Sequence, residues 1–370
     1  MAVVICGLLA VPASASTTPD TGRLLSIAAR LSGLTARRPV PSKVLSRPRY
    51  EALLVRALQR DYPRALQRVD ARLYSGLGLT TKSVRAPLGP RAQGSHAWYD
   101  PSARRLLIRR TARPRRTSVI HELVRALVDQ NFGLRRLAGL RARDRDRALA
   151  ATAIVDGTAA LVSGRRASAP TGAPLDRFLQ IEETSGLGPG RALAAELRYL
   201  GGRGALATAL RTFPRTTEQL LHVDKFLERE RALRVRVPSR IGDFTLSASE
   251  TFGELDVRAL LRAFGVANAT GVAAGWGGGR VALYVSPNGK SIATVVLRWD
   301  TADDAAEWRD AVLRYVAAAF PGATVQSDCP PLDRCWSGAA ELAVGALGET
   351  SVFASGPGGR DVAAALLGQG

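Results

Sequence analysis

The sequence predicts an α+β chain in two parts: a mostly helical domain with a small N-terminal β hairpin/sheet, followed by a smaller α+β C-terminal domain. Three observations carry this expectation. Apolar residues recur at helical spacing through most of residues 49–212, interrupted by one strand-like unit at 94–110. The last third changes character, with two strand-like runs joined by the hairpin signal Pro287-Asn288-Gly289-Lys290. The chain has 370 residues and is 46% apolar, enough for two globular domains of ordinary size.

Residues 1–15, MAVVICGLLAVPASA, are apolar and end in Ala13-Ser14-Ala15, the small-residue pattern of a signal-peptide cleavage site, though without the usual basic start. The alternative is a buried N-terminal segment. The run falls short of the ~20 residues a bilayer span needs, and no such run occurs elsewhere. Residues 16–48, with Pro39, Pro41 and Pro48, read as a linker into a domain over 49–240. Residues 49–74 are helical with a break at Pro63. In 94–110, Trp98 and Tyr99 precede Asp100-Pro101-Ser102 and then Leu106, Leu107 and Ile108, two strands about a turn that Arg113-Pro114 terminates. Thr117 or Ser118 caps a helix over 119–132. Further helices are expected at 144–164, 175–183, 189–201 and 203–212. Leu233, Val235 and Val237 alternate with Arg234 and Arg236, the pattern of a short strand, and Pro238 leads to a boundary near 240. In the second domain, 241–370, helices are expected at 252–264, 302–319 and 360–367, and strands at 279–287, 291–299, 334–344 and 350–355.

The formal net charge is +20, and it is unevenly placed. Residues 241–370 hold 9 basic and 14 acidic side chains, net −5, which leaves net +25 for residues 1–240. Such a balance suits anionic partners such as cell-envelope polymers or membrane headgroups, or else reflects an arginine-rich face that is merely solvated. It argues less for nucleic acid, because the arginines are scattered through helices without interleaved aromatic platforms for base stacking. Of three cysteines, Cys6 would leave with a signal peptide. Cys329 and Cys335 remain, flanking Pro330 and Pro331, and read as a local disulfide of an exported protein or else as two free thiols.

The segment richest in chemistry is 121–132, His-Glu-Leu-Val-Arg-Ala-Leu-Val-Asp-Gln-Asn-Phe. In the pattern H-E-x-x-H, two histidines four residues apart share one helix face and bind zinc, and the glutamate acts as general base. Here His121 and Glu122 are present, but position 125 is arginine. A guanidinium stays protonated and offers only donors, so it cannot ligate zinc.

Residues 121–132 resemble the H-E-L-T-H-A-L-Q-D-Q-H-F helix of a family of secreted bacterial zincin-like metallopeptidases, agreeing at eight of twelve positions. Trp98-Tyr99-Asp100-Pro101 is similar to the Y-D-P strand-turn-strand that precedes that helix in the family. Ile154-Val155-Asp156-Gly157-Thr158-Ala159 is similar to its L-V-E-G-D-A segment. Thr216-Thr217-Glu218-Gln219-Leu220-Leu221-His222 is similar to its T-T-E-Q-V-L-H segment, and Gly275-Trp276-Gly277-Gly278 resembles a G-W-G-G element. The resemblance covers roughly 50–320 and implies a zincin-like domain over 49–240.

It also implies a zinc held by both helix histidines and by the glutamate of E-G-D-A, with bound water brought to a pKa near ~7. At those positions this chain has His121, Arg125 and Asp156. Thr158 stands where the family has an aspartate. Arg125 is expected to fill the metal position and pair with Asp156, with Asp129, at i+4, as the competing partner. His121 is then a residual metal ligand or a core histidine. Glu122 and His222 are vestigial catalytic residues or structural ones.

The function that follows is a secreted or envelope-associated pseudopeptidase that has lost zinc and hydrolysis, with no cofactor. It could bind peptide by strand addition near 104–110. Two alternatives are an active zinc peptidase with an altered ligand set, His222 included, and a basic module that binds an anionic cell-envelope polymer.

Overall fold

A computed structural model describes residues 19–81, 95–111, 115–326, 328–338 and 340–368. The expected signal segment, Cys6 and Arg113-Pro114 lie outside the described residues. The fold is α+β, as the sequence predicts.

The stretch read as a linker is instead structured. It holds helix α1 (Thr21–Ser32) and strand β1 (Ser42–Leu45). The Asp20 carboxylate accepts the Arg23 N–H at one end of α1, and Gly33 closes the other at φ 74°. Leu24, Leu25 and Ala28 then enter the core. The prolines punctuate these elements: the Pro41 carbonyl accepts the Leu106 N–H at 2.8 Å just before β1 begins.

Helices α2 (Arg47–Asp61) and α3 (Arg64–Gly76) break at Pro63. Strands β2 (Ala97–Asp100) and β3 (Arg105–Arg109) form the expected hairpin, and β1 joins in parallel on the other side, giving the order β1-β3-β2. Helix α4 (Arg116–Phe132) is the His-Glu helix. It starts at Arg116, with no side-chain cap from Thr117 or Ser118. Helices α5 (Leu140–Arg143), α6 (Arg145–Ser163), α7 (Pro174–Glu183) and α8 (Arg191–Thr212) follow. Two short helices, α9 (Thr217–Leu221) and α10 (Val223–Glu228), end this part. The expected strand at 233–237 does not form. Its backbone donates from Leu233 to the Gly277 carbonyl at 2.7 Å, but Val235 and Val237 pack their side chains without a ladder.

The C-terminal part is built on an eight-stranded antiparallel sheet of order β4-β5-β6-β7-β11-β10-β9-β8. Its strands are β4 (Arg240–Ile241), β5 (Phe244–Thr251), β6 (Trp276–Val285), β7 (Ser291–Trp299), β8 (Ala323–Val325), β9 (Arg334–Gly338), β10 (Leu342–Leu347) and β11 (Thr350–Ser355). The single strand expected over 334–344 is therefore two, because Gly338 at φ 92° ends β9 and β10 returns with Leu342 opposite Trp336. Helices α11 (Glu254–Ala263), α12 (Ala269–Ala274) and α13 (Ala302–Ala319) cover one face, and α14 (Gly359–Leu367) the other.

Burial on both faces explains the nearly continuous apolar run of β7. Ala293, Val295 and Leu297 face Trp308 and Tyr315, whereas Ile292 and Val296 face Val362 and Leu366. The boundary near 240 marks where the sheet begins but not a gap in packing. Leu73 and Tyr74 of α3, Leu77 just after it and Phe178 of α7 belong to the same core as Trp276, Trp299 and Tyr315, and the Tyr315 hydroxyl donates to the Leu77 carbonyl at 2.7 Å.

Candidate functional site

Helix α4 is buried on nearly every side from Ser118 to Asp129, so its polar residues must find partners inside the protein. Glu122 accepts the Tyr99 N–H of β2 at 2.9 Å. Arg125 hydrogen-bonds the Asp156 carboxylate of α6 through Nη1, and its Nε lies 3.5 Å from Glu122 Oε2. Burial opposes the Arg125 charge, but the Asp156 and Glu122 carboxylates outweigh it and hold the guanidinium above its ordinary pKa. Burial raises the Glu122 carboxyl, and Arg125 and the Tyr99 N–H offset only part of that. His121 is buried on the same helix.

The expected Arg125–Asp156 contact is thus present, while Asp129 takes other partners. It accepts the Tyr99 hydroxyl and the Leu134 N–H, both at 2.7 Å, and so ties β2 to the turn that follows α4. Asp100 accepts the Ser102 N–H at 3.0 Å and the Ser102 hydroxyl at 2.6 Å, holding the hairpin turn.

These residues do not fit a zinc ion. Zinc needs neutral or anionic donors converging at roughly 2.0–2.2 Å. Here a cation stands among them and occupies the Asp156 carboxylate. Thr158 offers no carboxylate and turns its hydroxyl back onto the Ile154 carbonyl at 2.9 Å. Gly157 has a packing role: the turn Gly186–Gly190 presses so closely on α6 that a Cβ at 157 would strike the Gly190 backbone.

The Thr216–His222 segment forms a separate joint. Thr216 caps α9 through the Gln219 N–H at 3.1 Å. Thr217 donates N–H and hydroxyl to Asp146 of α6, at 3.0 and 2.5 Å, and its oxygen accepts the Leu255 N–H of α11 at 3.1 Å. Gln219 reaches the Arg215 N–H and the Glu230 carbonyl. His222 Nε2 lies 3.0 Å from Glu254, whose hydrogen bond raises the imidazole pKa. Its ionisable neighbours are Glu254, Lys225 and Asp224, none of them in the α4–α6 cluster. The segment bolts α6 to helix α11 of the C-terminal part.

Among the described residues, one group of acids has a spacing suited to a metal: Glu218, Glu230 and Asp300. The Lys225 ammonium sits between them, at 2.6, 3.2 and 2.8 Å.

A cavity of about 660 Å³ opens beside Arg125. Trp98, Leu134, Leu149, Val155 and Leu179 give it apolar walls, and Tyr62, Arg141 and Glu182 are among its polar groups. Arg141 bridges Asp70 at 2.9 Å and Glu250 at 2.8 Å, and Arg145 bridges Glu182 and Asp256. Burial pushes Glu182 up to about 8 even with Arg145 beside it. Sequence reasoning missed this network. Its members come from α3, α5, α6, α7, β5 and α11, and no local spacing links them. The strand at 104–110 cannot take an added peptide, because β3 is paired on both sides. The outer edge of β2 is engaged as well, the Tyr99 N–H by Glu122 and the Ala97 carbonyl by Ser95.

Cys329 and Cys335 are disulfide-bonded, with Cα atoms 5.9 Å apart. Among the described residues, no helix is long and apolar enough to cross a membrane. Residues 240–365 match the family model of a domain of unknown function, DUF8575. No curated protein and no solved structure matches the chain.

Proposed function

We propose that the chain is an exported metallopeptidase-like protein that has lost zinc binding and hydrolysis and retains the cleft beside the former metal position as a binding site. One observation carries this reading: the Arg125 guanidinium occupies the Asp156 carboxylate and lies within 3.5 Å of Glu122, so the would-be ligand and the would-be base are both engaged by a fixed cation. Export is supported by the apolar start ending in Ala13-Ser14-Ala15 and by the Cys329–Cys335 bridge. Peptide binding is supported by the cavity, whose apolar walls and polar groups suit an extended chain better than the engaged outer edge of β2. The reading with His222 as a replacement zinc ligand has less support, since that imidazole is paired with Glu254.

The test is zinc content of the purified chain beside an Arg125→His/Asp156→Glu double variant. The reading expects no zinc in the parent and stoichiometric zinc in the variant. Stoichiometric zinc in the parent would overturn it.

A further inference from the structure

Midway along α8, two large apolar side chains stand in solvent. Tyr199 is 88% exposed and Leu200 56%. The helix breaks directly after them, at Gly201 (φ −141°, ψ 23°) and Gly202 (φ 61°, ψ −151°). The Gly202 conformation is essentially confined to glycine, so the break is written into the sequence. The end of α1 lies alongside. Leu31 is 43% exposed, its carbonyl is 3.5 Å from Arg198 Nη1, and Arg203 lies over Gly33, where a Cβ would strike its side chain. Arg198 and Arg203, which flank Tyr199 and Leu200 in sequence, and Arg30, which precedes Leu31, are all exposed, as is Glu196 one turn before Leu200.

We propose that this knuckle, Leu31 with Tyr199 and Leu200 and the neighbouring arginines, docks the protein on an anionic lipid bilayer. Isolated exposed apolar residues are ordinary on any surface. Three together, held out at a glycine-built break and flanked by cations, are the composition of an interfacial anchor. Tyrosine sits at headgroup depth, leucine enters the acyl boundary, and arginine pairs with lipid phosphates. The net +25 of residues 1–240 supplies long-range attraction to the same surface. A soluble anionic polymer would engage the arginines equally well but would give Tyr199 and Leu200 nothing to bury into. The proposal does not depend on the fate of the zinc position.

The test is co-sedimentation of the full chain with vesicles of phosphatidylcholine alone or with about a third phosphatidylglycerol. Binding is expected on the anionic vesicles only. Tyr199→Ser/Leu200→Ser, which changes no charge, should weaken it by about tenfold or more. Arg30→Gln/Arg198→Gln/Arg203→Gln should weaken it by about fivefold per arginine at low salt, and a control triple on α3, Arg64→Gln/Arg68→Gln/Arg72→Gln, by far less. A Tyr199→Trp variant should show blue-shifted emission on anionic vesicles. Unchanged binding by Tyr199→Ser/Leu200→Ser, or equal losses in the two arginine triples, would mean attraction by overall charge and would overturn the proposal. So would binding to a soluble anionic polymer as tight as to vesicles.

Discussion

Replacing Arg125 by methionine removes the cation from the α4–α6 cluster and keeps most of the side-chain volume. The arginine side chain is 17% exposed, and those of Glu122 and Asp156 are 10% and 6% exposed, so solvent screens the three charges only weakly. Removing one partner of a buried ion pair costs about 3–5 kcal/mol. Two features set the cost toward the lower end. Glu122 keeps the Tyr99 N–H at 2.9 Å. A stranded carboxylate can also escape by taking a proton, which from a pKa near ~4 costs no more than ~4 kcal/mol at neutral pH, at about 1.4 kcal/mol per unit.

We therefore expect Arg125→Met to lose about 3 kcal/mol at neutral pH. Stranded carboxyls have folded pKa values above their unfolded ones, so the variant's stability is fully present below the unfolded pKa and is lost as pH rises. The gap to the parent should accordingly narrow as pH falls toward ~4. Urea denaturation followed by tryptophan fluorescence at both pH values measures it. A loss under ~1 kcal/mol at neutral pH, or one that does not change with pH, would refute the assignment of Arg125 as the charge that neutralises this cluster.

Three further outcomes are expected. Gly157→Ala should cost about 3 kcal/mol or more, because the new methyl meets the backbone of Gly190 and not a flexible side chain; a thermal melt within a degree or so of the parent would contradict the close approach. Cys329→Ser/Cys335→Ser opens a loop with a sequence separation of 6, for which loop-closure entropy gives about 2 kcal/mol; guanidinium unfolding with and without reductant reads it. Stability of the folded chain should fall as pH rises from ~5 to ~9. Burial raises Asp146 to about 8, Glu182 to about 8 and Glu218 to about 7, and hydrogen bonding to Glu254 raises His222, so each contributes stability that is lost as pH rises through its folded pKa. A melting temperature that climbs over that range would show the opposite sign.

What the sequence made legible was local. The period of 3.6 placed α4, α6 and α13, the Pro287–Lys290 turn placed the β6–β7 hairpin, and an arginine four residues after His121 gave the contact with Asp156. Elements whose cues were spread thin or interrupted were misread. Three prolines hid α1 and β1, although Asp20 and Gly33 frame the helix. β5 alternates weakly because its side chains are mostly half-buried, and Gly338 splits an apolar run that looks continuous. Asp129 offered the right i+4 spacing from Arg125, yet the Tyr99 hydroxyl from another element claimed it. The Arg141 and Arg145 bridges join residues up to 111 positions apart, and only the folded chain brings them together.

Two clusters in this protein resolve the same electrostatic problem in the same way. Acidic side chains that converge repel one another, most where solvent is scarce, and a compensating cation or a retained proton relieves the repulsion. At Asp156 and Glu122 the cation is Arg125, and at Glu218, Glu230 and Asp300 it is Lys225. A covalently attached cation differs from a metal ion in one consequence: it cannot dissociate, so neither cluster should depend on metal supply or respond to chelators. It also differs in geometry. The planar guanidinium at position 125 reaches acids on two helices at once, linking α4 to α6 where a metal would have needed converging ligands. Charge balance in the α4–α6 cluster is thus part of the scaffold. Arg125 is itself a lining residue of the cavity, so its pairing with Asp156 also holds that wall in place.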